Sequence, residues 1–461
     1  MTQRLSTSII LFVASLTATF TIPVSACFAQ SPESIASQAE PEALARGPIH
    51  EAFAEQVNFD PVPGITVAKQ PPELIDEVPP QVQPEGYNVQ WIPGYWAWDD
   101  EREDFIWVSG VWRDIPPDRQ WVPGYWADAV GGYQWIAGFW ALDRANEVEY
   151  LPYPPASLER GPTSPQPSVS HYWVTGCWQY HDQRYRWRPG YWVGHRDDWV
   201  WTPDHYVWTP RGAVYVRGYW DYPLVRRGVA FAPVYFHAGN RYRDRNYSPS
   251  VAINVGNLLF DLFVQPRHHH YYFGDYYGDR YRRAGYQSNF AFHGRSGYDP
   301  LFAHYSTHQR RGGVDFDNQV RQWHAVRDRD ESQRPPRTFN EVVTRTGRDE
   351  RGASAAGGSL VESLTDMISN GRSNVRITRT EEQEQQIAAA RSSSVLRDLV
   401  QQRIAAEVQS DPVAGSPLDD GRGRASANAQ GPENRDKRVT TLKLPGLDID
   451  IDANARNGQG R

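Results

Sequence analysis

Cysteine is almost missing from this chain, with Cys27 and Cys177 the only two in 461 residues. Cys27 falls in an N-terminal leader, so Cys177 is left without a partner and packing alone must hold the fold. A basic excess is missing too. A net charge of -7 and a pI near 6.0 leave no cationic field to exchange for counterions, so no nucleic-acid partner is expected. Beyond the leader, no stretch reaches the ~20 apolar residues of a membrane span, and neither a Walker loop nor a dinucleotide fingerprint occurs. Tryptophan is confined, because every Trp except Trp323 lies between residues 91 and 220. The length allows two or three domains, but a mean hydropathy of -0.66 restricts the packed core, and the tryptophan-rich segment must carry it.

Residues 1–29 have the build of an export signal: one cation, Arg4, then an apolar run from Ile9 to Phe20, then small residues. Two ends fit. Val24-Ser25-Ala26-Cys27 matches a lipobox in which Cys27 takes lipid, whereas Ala29 suits a peptidase that cleaves before Gln30. The expected location is periplasmic, outer-membrane if lipidated, or extracellular, with membrane contact only through a lipid anchor.

Within the aromatic segment the spacing WxxGxW recurs. Its defining residues are Trp91, Gly94 and Trp96; Trp107, Gly110 and Trp112; Trp121, Gly124 and Trp126; Trp135, Gly138 and Trp140; Trp173, Gly176 and Trp178; and Trp187, Gly190 and Trp192. Two degenerate copies follow, one holding Trp201 and the other Gly218 and Trp220. Successive copies start 16, 14, 14, 38, 14, 14 and 14 residues apart, which defines two blocks of four joined by a Pro-rich connector. Each copy is rich in β-formers, and intervals such as "DAVGG" supply hairpin-turn residues. The expected fold is therefore mainly β, an antiparallel meander of two blocks of four ~14-residue repeats. Trp at i and i+5 would face opposite sides of a plain strand, and the prolines at 93, 123, 189 and 203 would delete ladder donors. Either a one-residue Pro-Gly bulge restores the phase, the favoured reading, or Pro-Gly is itself the turn.

The pattern resembles the YXWGXW (WXXGXW) repeat family of bacterial exported and envelope proteins, in particular planctomycete-like members with a Pro-rich preface. The resemblance covers about residues 87 to 222. It implies an extracytoplasmic location and a repeat-built β structure, and it brings no established reaction. Asp204 stands in place of the glycine, Tyr206 and Tyr215 in place of tryptophan, and Cys177 in place of an aromatic or Val; the copy at 201 is expected to lack the bulge.

The remaining organisation reads as a Pro-rich extended spacer over 30–86, repeat blocks over 87–142 and 171–222, and the Pro-rich connector over 143–170. A Tyr, His and Arg-rich β extension follows over 223–311. The charged tail over 312–461 reads as mostly disordered, with helical patterns near 359 and 381.

The candidate chemistry is thin. His268, His269 and His270, with His304 and His308 at helical spacing, suggest a metal, but adjacent imidazoles alternate in direction and no Cys or ordered carboxylate joins them. A solvated loop is expected, with no metal and no cofactor. Asp99, Asp100 and Glu101, like Asp197 and Asp198, fall in predicted turns, where carboxylates are usually solvated, so no catalytic pair is assigned. Cys177 reads as a packed residue. Trp98 and Trp208 stand outside the repeat register and are the candidates for stacking on sugar rings. The expected role is non-enzymatic, structural or scaffolding in the cell envelope, in contact with envelope proteins or polysaccharide; the alternative is a polysaccharide- or cell-wall-binding module.

Overall fold

The computed structural model describes residues 41–237, 247–295, 297–348, 358–369, 376–379, 382–409 and 441–444. The leader, Cys27 included, lies outside the described residues.

The repeats form antiparallel β structure, and they pair by twos. In the first hairpin the arm Val89–Ile92 and Tyr95–Asp99 runs against Asp104–Val108 and Val111–Asp114, setting Trp91 opposite Trp112 and Trp96 opposite Trp107. The second sets Trp121 against Trp140 and Trp126 against Trp135. The third pairs Trp173 with Trp192 and Trp178 with Trp187, and the fourth pairs Trp201 with Trp220 and Tyr206 with Tyr215. In all eight pairs the ring centroids lie 5.0 to 5.5 Å apart, tilted or edge-to-face. Such aromatic pairs favour these geometries because the ring edge is positive and the face negative.

A four-stranded meander within each block does not form. After the first hairpin the chain passes Pro116 and Pro117, which cannot donate to a ladder, and the outer edge of Val111–Asp114 is taken instead by Gly228–Val229. The turns fall in the polar intervals as expected. Asp182 and Gln183 both have positive φ, 49° and 58°, as a type I′ hairpin turn requires.

Pro-Gly is not the turn, and the break is not a one-residue bulge. Residues 93 and 94 leave the ladder opposite residues 109 and 110, so each arm is interrupted by the same length and the register continues unchanged on both sides. Glycine is required there by close approach. A Cβ on Gly124 would lie 2.6 Å from the Trp135 ring and 2.9 Å from Gly138 N, and one on Gly138 would lie 2.8 Å from Val122 O.

The non-repeat segments pack around these hairpins, which corrects two expectations. Of the spacer, the described residues 41–86 are not extended away from the repeats: Ile49, Ala52 and Phe53 have no exposure at all and belong to the main core. The described parts of the tail are also ordered against the repeats. The helix Glu382–Glu407 lies across the first two hairpins, with Ser392 Oγ donating to Trp91 O at 2.7 Å and Arg403 Nη1 donating to Pro123 O at 2.6 Å. Within the connector, Glu147–Leu151 pairs with Ala213–Val216 of the fourth hairpin and with Thr441–Lys443. In the 223–311 region, Leu262–Gln265 and His270–Phe273 form a hairpin flanked by Gly47–Pro48 and Gln287–Ser288. The helices Pro300–Arg311 and Phe316–Arg329 follow, each N-capped by an aspartate side chain. Among the described residues no helix is long and apolar enough to cross a membrane.

This packing predicts that glycines differ sharply. Gly138→Ala should cost about 1 to 3 kcal/mol through overpacking. Gly294→Ala, in the helix Asn289–Arg295 with nothing within 4 Å of the added carbon, should be neutral or stabilising by up to about 1 kcal/mol. Urea unfolding of both variants checks the contrast.

Candidate functional site

Where both arms leave the ladder at glycine, buried N–H groups lose their strand partners, and a buried donor left unpaired is costly. The structure meets that need with a carboxylate. In the first hairpin Glu77 Oε2 accepts from Gly94 N at 3.1 Å and Gly110 N at 2.8 Å, while Oε1 accepts from Trp107 Nε1 at 3.2 Å. In the second, Glu51 Oε2 accepts from Gly138 N and Oε1 from Trp135 Nε1, both at 2.9 Å. In the third, Glu159 Oε2 accepts from Gly176 N at 2.6 Å and Oε1 from Trp173 Nε1 at 3.2 Å. The fourth hairpin carries its own acid: Asp204, standing where the glycine is missing, accepts from Gly218 N at 2.6 Å. The copy at 201, expected to lack a bulge, has none and shares the equal-length break of the other hairpins.

The facing carbonyls are capped as well. His50 Nε2 lies 3.1 Å from Pro93 O, and Arg403 Nη1 reaches both Pro123 O and Ala137 O. Arg403 is itself paired with Glu407, and both side chains are fully buried; Tyr125 and Tyr150 donate to the Glu407 carboxylate, each at 2.8 Å. Burial pushes the Glu77 carboxyl up to about 7 against its three donors, and the Glu51 carboxyl up to about 8.

None of the three glutamates was singled out from sequence. They lie in Pro-rich or connecting segments, yet a signal exists: Glu77 and Glu159 each stand 17 residues before the glycine they cap, and Asp204 marks the repeat glycine as a place where an acid fits.

The other candidates scatter. Trp208 is buried and stacks on Tyr153 at 6.3 Å, so it offers no platform for a sugar ring. Trp98 is half-buried, edge-on to Phe105. Cys177 is buried, and burial pushes its thiol up to about 12. The three adjacent histidines are not a solvated loop. His268 and His270 are buried and His269 half-buried in a tight hairpin, and burial lowers them to about 3, 3 and 4 respectively. Asp99 and Glu101 are held by Arg46, which lies 3.4 Å and 2.5 Å from them. Asp197 and Asp198 are held by Arg311 and Arg226 at 2.6 Å and 3.0 Å.

The fold and these capped breaks define an antiparallel β protein assembled from two-copy Trp hairpins. Its four hairpins coincide with four matches to the family model described as WXXGXW repeat (2 copies), over residues 86–113, 121–141, 171–193 and 196–220. No curated protein and no solved structure matches the chain.

The capping geometry predicts that Glu77→Gln, which turns a donor toward N–H groups, lowers stability by about 1 to 3 kcal/mol. An acid raised from 4.5 to about 7 on folding holds a proton that the unfolded chain releases. Its contribution is full below about pH 4.5 and lost as pH rises through about 7. The advantage of the wild type over Glu77→Gln should therefore shrink across that window in urea unfolding at stepped pH. An advantage that grows with pH would contradict this. The buried histidines act in the opposite direction. Their folded values lie near 3 to 4, below 6.5, so stability should fall as pH drops below about 6.5. The midpoint of acid unfolding, followed by tryptophan fluorescence, measures it.

Proposed function

We propose that this is a non-enzymatic exported protein with a structural or scaffolding role in the cell envelope. The observation that carries the reading is the use made of the repeat tryptophans. Trp91, Trp96, Trp107, Trp112, Trp121, Trp135 and Trp140 are buried, and indole N–H groups of the repeats are aimed inward: Trp96 donates to Glu73 O and Trp126 to Trp96 O. Residues that would display a ligand-stacking ladder are consumed in building the fold. The apolar leader at 1–29 supports export.

One observation favours the second reading, a polysaccharide-binding module. In the third hairpin Trp173, Trp178, Trp187 and Trp192 are only half-buried, and His181, Arg184 and Arg186 beside them are exposed. Stacking surfaces with polar neighbours suit sugar rings.

Two measurements separate the readings. Trp140→Ala should lose about 3 to 5 kcal/mol, with no rescue by insoluble wall polysaccharide, whereas saturable polysaccharide binding lost in Trp98→Ala or Trp192→Ala variants of unchanged stability would favour the binding module. In cell fractions the wild type should sediment with the envelope. Release of the protein by Cys27→Ser would assign anchoring to lipid, and a mature N-terminus at Gln30 would assign it to a soluble envelope protein. Recovery in the cytosol would overturn the proposal.

A further inference from the structure

The hairpin repeats meet the helix Pro300–Arg311 at a cluster of imidazoles. His304 and His308 are one turn apart on that helix, so they share a face, and their rings lie 6.5 Å apart at 15°. His195, just past the strand Tyr191–Gly194 of the third hairpin, sets its ring 4.5 Å from that of His304 and 5.5 Å from that of His308. Two residues on, Asp197 Oδ1 stands 3.2 Å from His195 Nε2 and 3.3 Å from His308 Nδ1. One ligand atom from each of His195, Asp197 and His308 falls within 4.8 Å of the other two.

The polar accounting points to a ligand. The His195 side chain has no exposure and His304 is 2 % exposed, yet Nδ1 of each has no hydrogen-bond partner, while Nε2 of His195 faces the Asp197 carboxylate. Buried polar atoms are normally satisfied. Two imidazole nitrogens meeting one carboxylate oxygen beside unsatisfied buried rings are the exception that a metal ion removes.

We propose that His195, His308 and Asp197 bind one divalent transition-metal ion of the zinc class, clamping the helix Pro300–Arg311 to the third hairpin, with the His304 ring packed against His195 behind the site. Imidazole-rich sets with one carboxylate suit Zn²⁺, Ni²⁺ or Cu²⁺ rather than Ca²⁺ or Mg²⁺, which take oxygen ligands. Donors at ~2.0–2.1 Å from a tetrahedral ion stand roughly 3.3 Å from one another, and Asp197 Oδ1 already stands at that distance from the nitrogens of His195 and His308. Asp197 and His308 are 61 % and 49 % exposed at their side chains, which leaves an entry path. Without a metal, Arg311 neutralises Asp197 at 2.6 Å; it is the competitor for the site. Three protein ligands leave the fourth position of a tetrahedral ion to water, and such a clip would serve a chain whose one described cysteine, Cys177, is unpaired.

The test uses the purified mature protein without a histidine tag, stripped with a chelator and titrated with Zn²⁺ and Co²⁺. One equivalent should bind with micromolar or tighter affinity, raise the unfolding temperature, and give the visible absorption of four-coordinate Co²⁺. His308→Ala and Asp197→Asn, both at exposed positions, should weaken binding by tenfold or more while leaving the metal-free melting temperature within a few degrees. Arg311→Gln should tighten it. Absence of binding at millimolar Zn²⁺, or binding unchanged in His308→Ala and Asp197→Asn, would overturn the proposal.

Discussion

A β-ribbon that brings its two arms together at glycine has to give up ladder hydrogen bonds at that point, and in a buried ribbon those groups must be satisfied from elsewhere. That constraint organises the molecule. Each hairpin carries a carboxylate at its break, and the acids reach the first three hairpins from outside the repeats. The segment 41–60 is therefore not a tether. It supplies Glu51 to the second hairpin, Arg46 to the turn acids of the first, and Glu55 to His205 and Tyr219 of the fourth.

The energetics follow the same line. An isolated two-stranded hairpin is marginal in water, and aromatic cross-strand pairs contribute only about 0.2 to 1 kcal/mol each. Four hairpins that do not share a ladder become stable only when other segments cover their faces and cap their breaks. Buried charges join them: Asp221 of the fourth hairpin binds Arg113 of the first at 2.5 Å and Arg227 at 3.0 Å. Such a network adds little relative to apolar packing, but removing one member strands a charge in the core. Together these links make the repeats and the segments around them a single cooperative unit rather than beads on a spacer.

The two blocks are not equivalent. The first is enclosed, its outer edges taken by short strands from 41–86 and 228–235 and its breaks covered by the helix Glu382–Glu407. The third hairpin keeps its tryptophans half-buried and one end beside the histidines of Pro300–Arg311. One repeat sequence thus serves as core filler in one place and as accessible surface in another, and the difference lies in what the rest of the chain lays over it.

Residues local to one another were readable. The 14-residue period, the turn at "DAVGG", the β class and the helical patterns near 359 and 381 all express preferences that act within a few residues, and each has a counterpart in the structure. The pairing by twos was not read from the period, which fits a continuous meander equally well, because a repeat spacing does not say which neighbour each copy pairs with. What only the tertiary structure decided is which distant group completes each break and which ring is covered. Glu51 lies 87 residues from Gly138, and Arg403 lies 280 from Pro123. No periodicity links such positions, because a backbone N–H in the core asks for an acceptor in space and is indifferent to where along the chain that acceptor comes from.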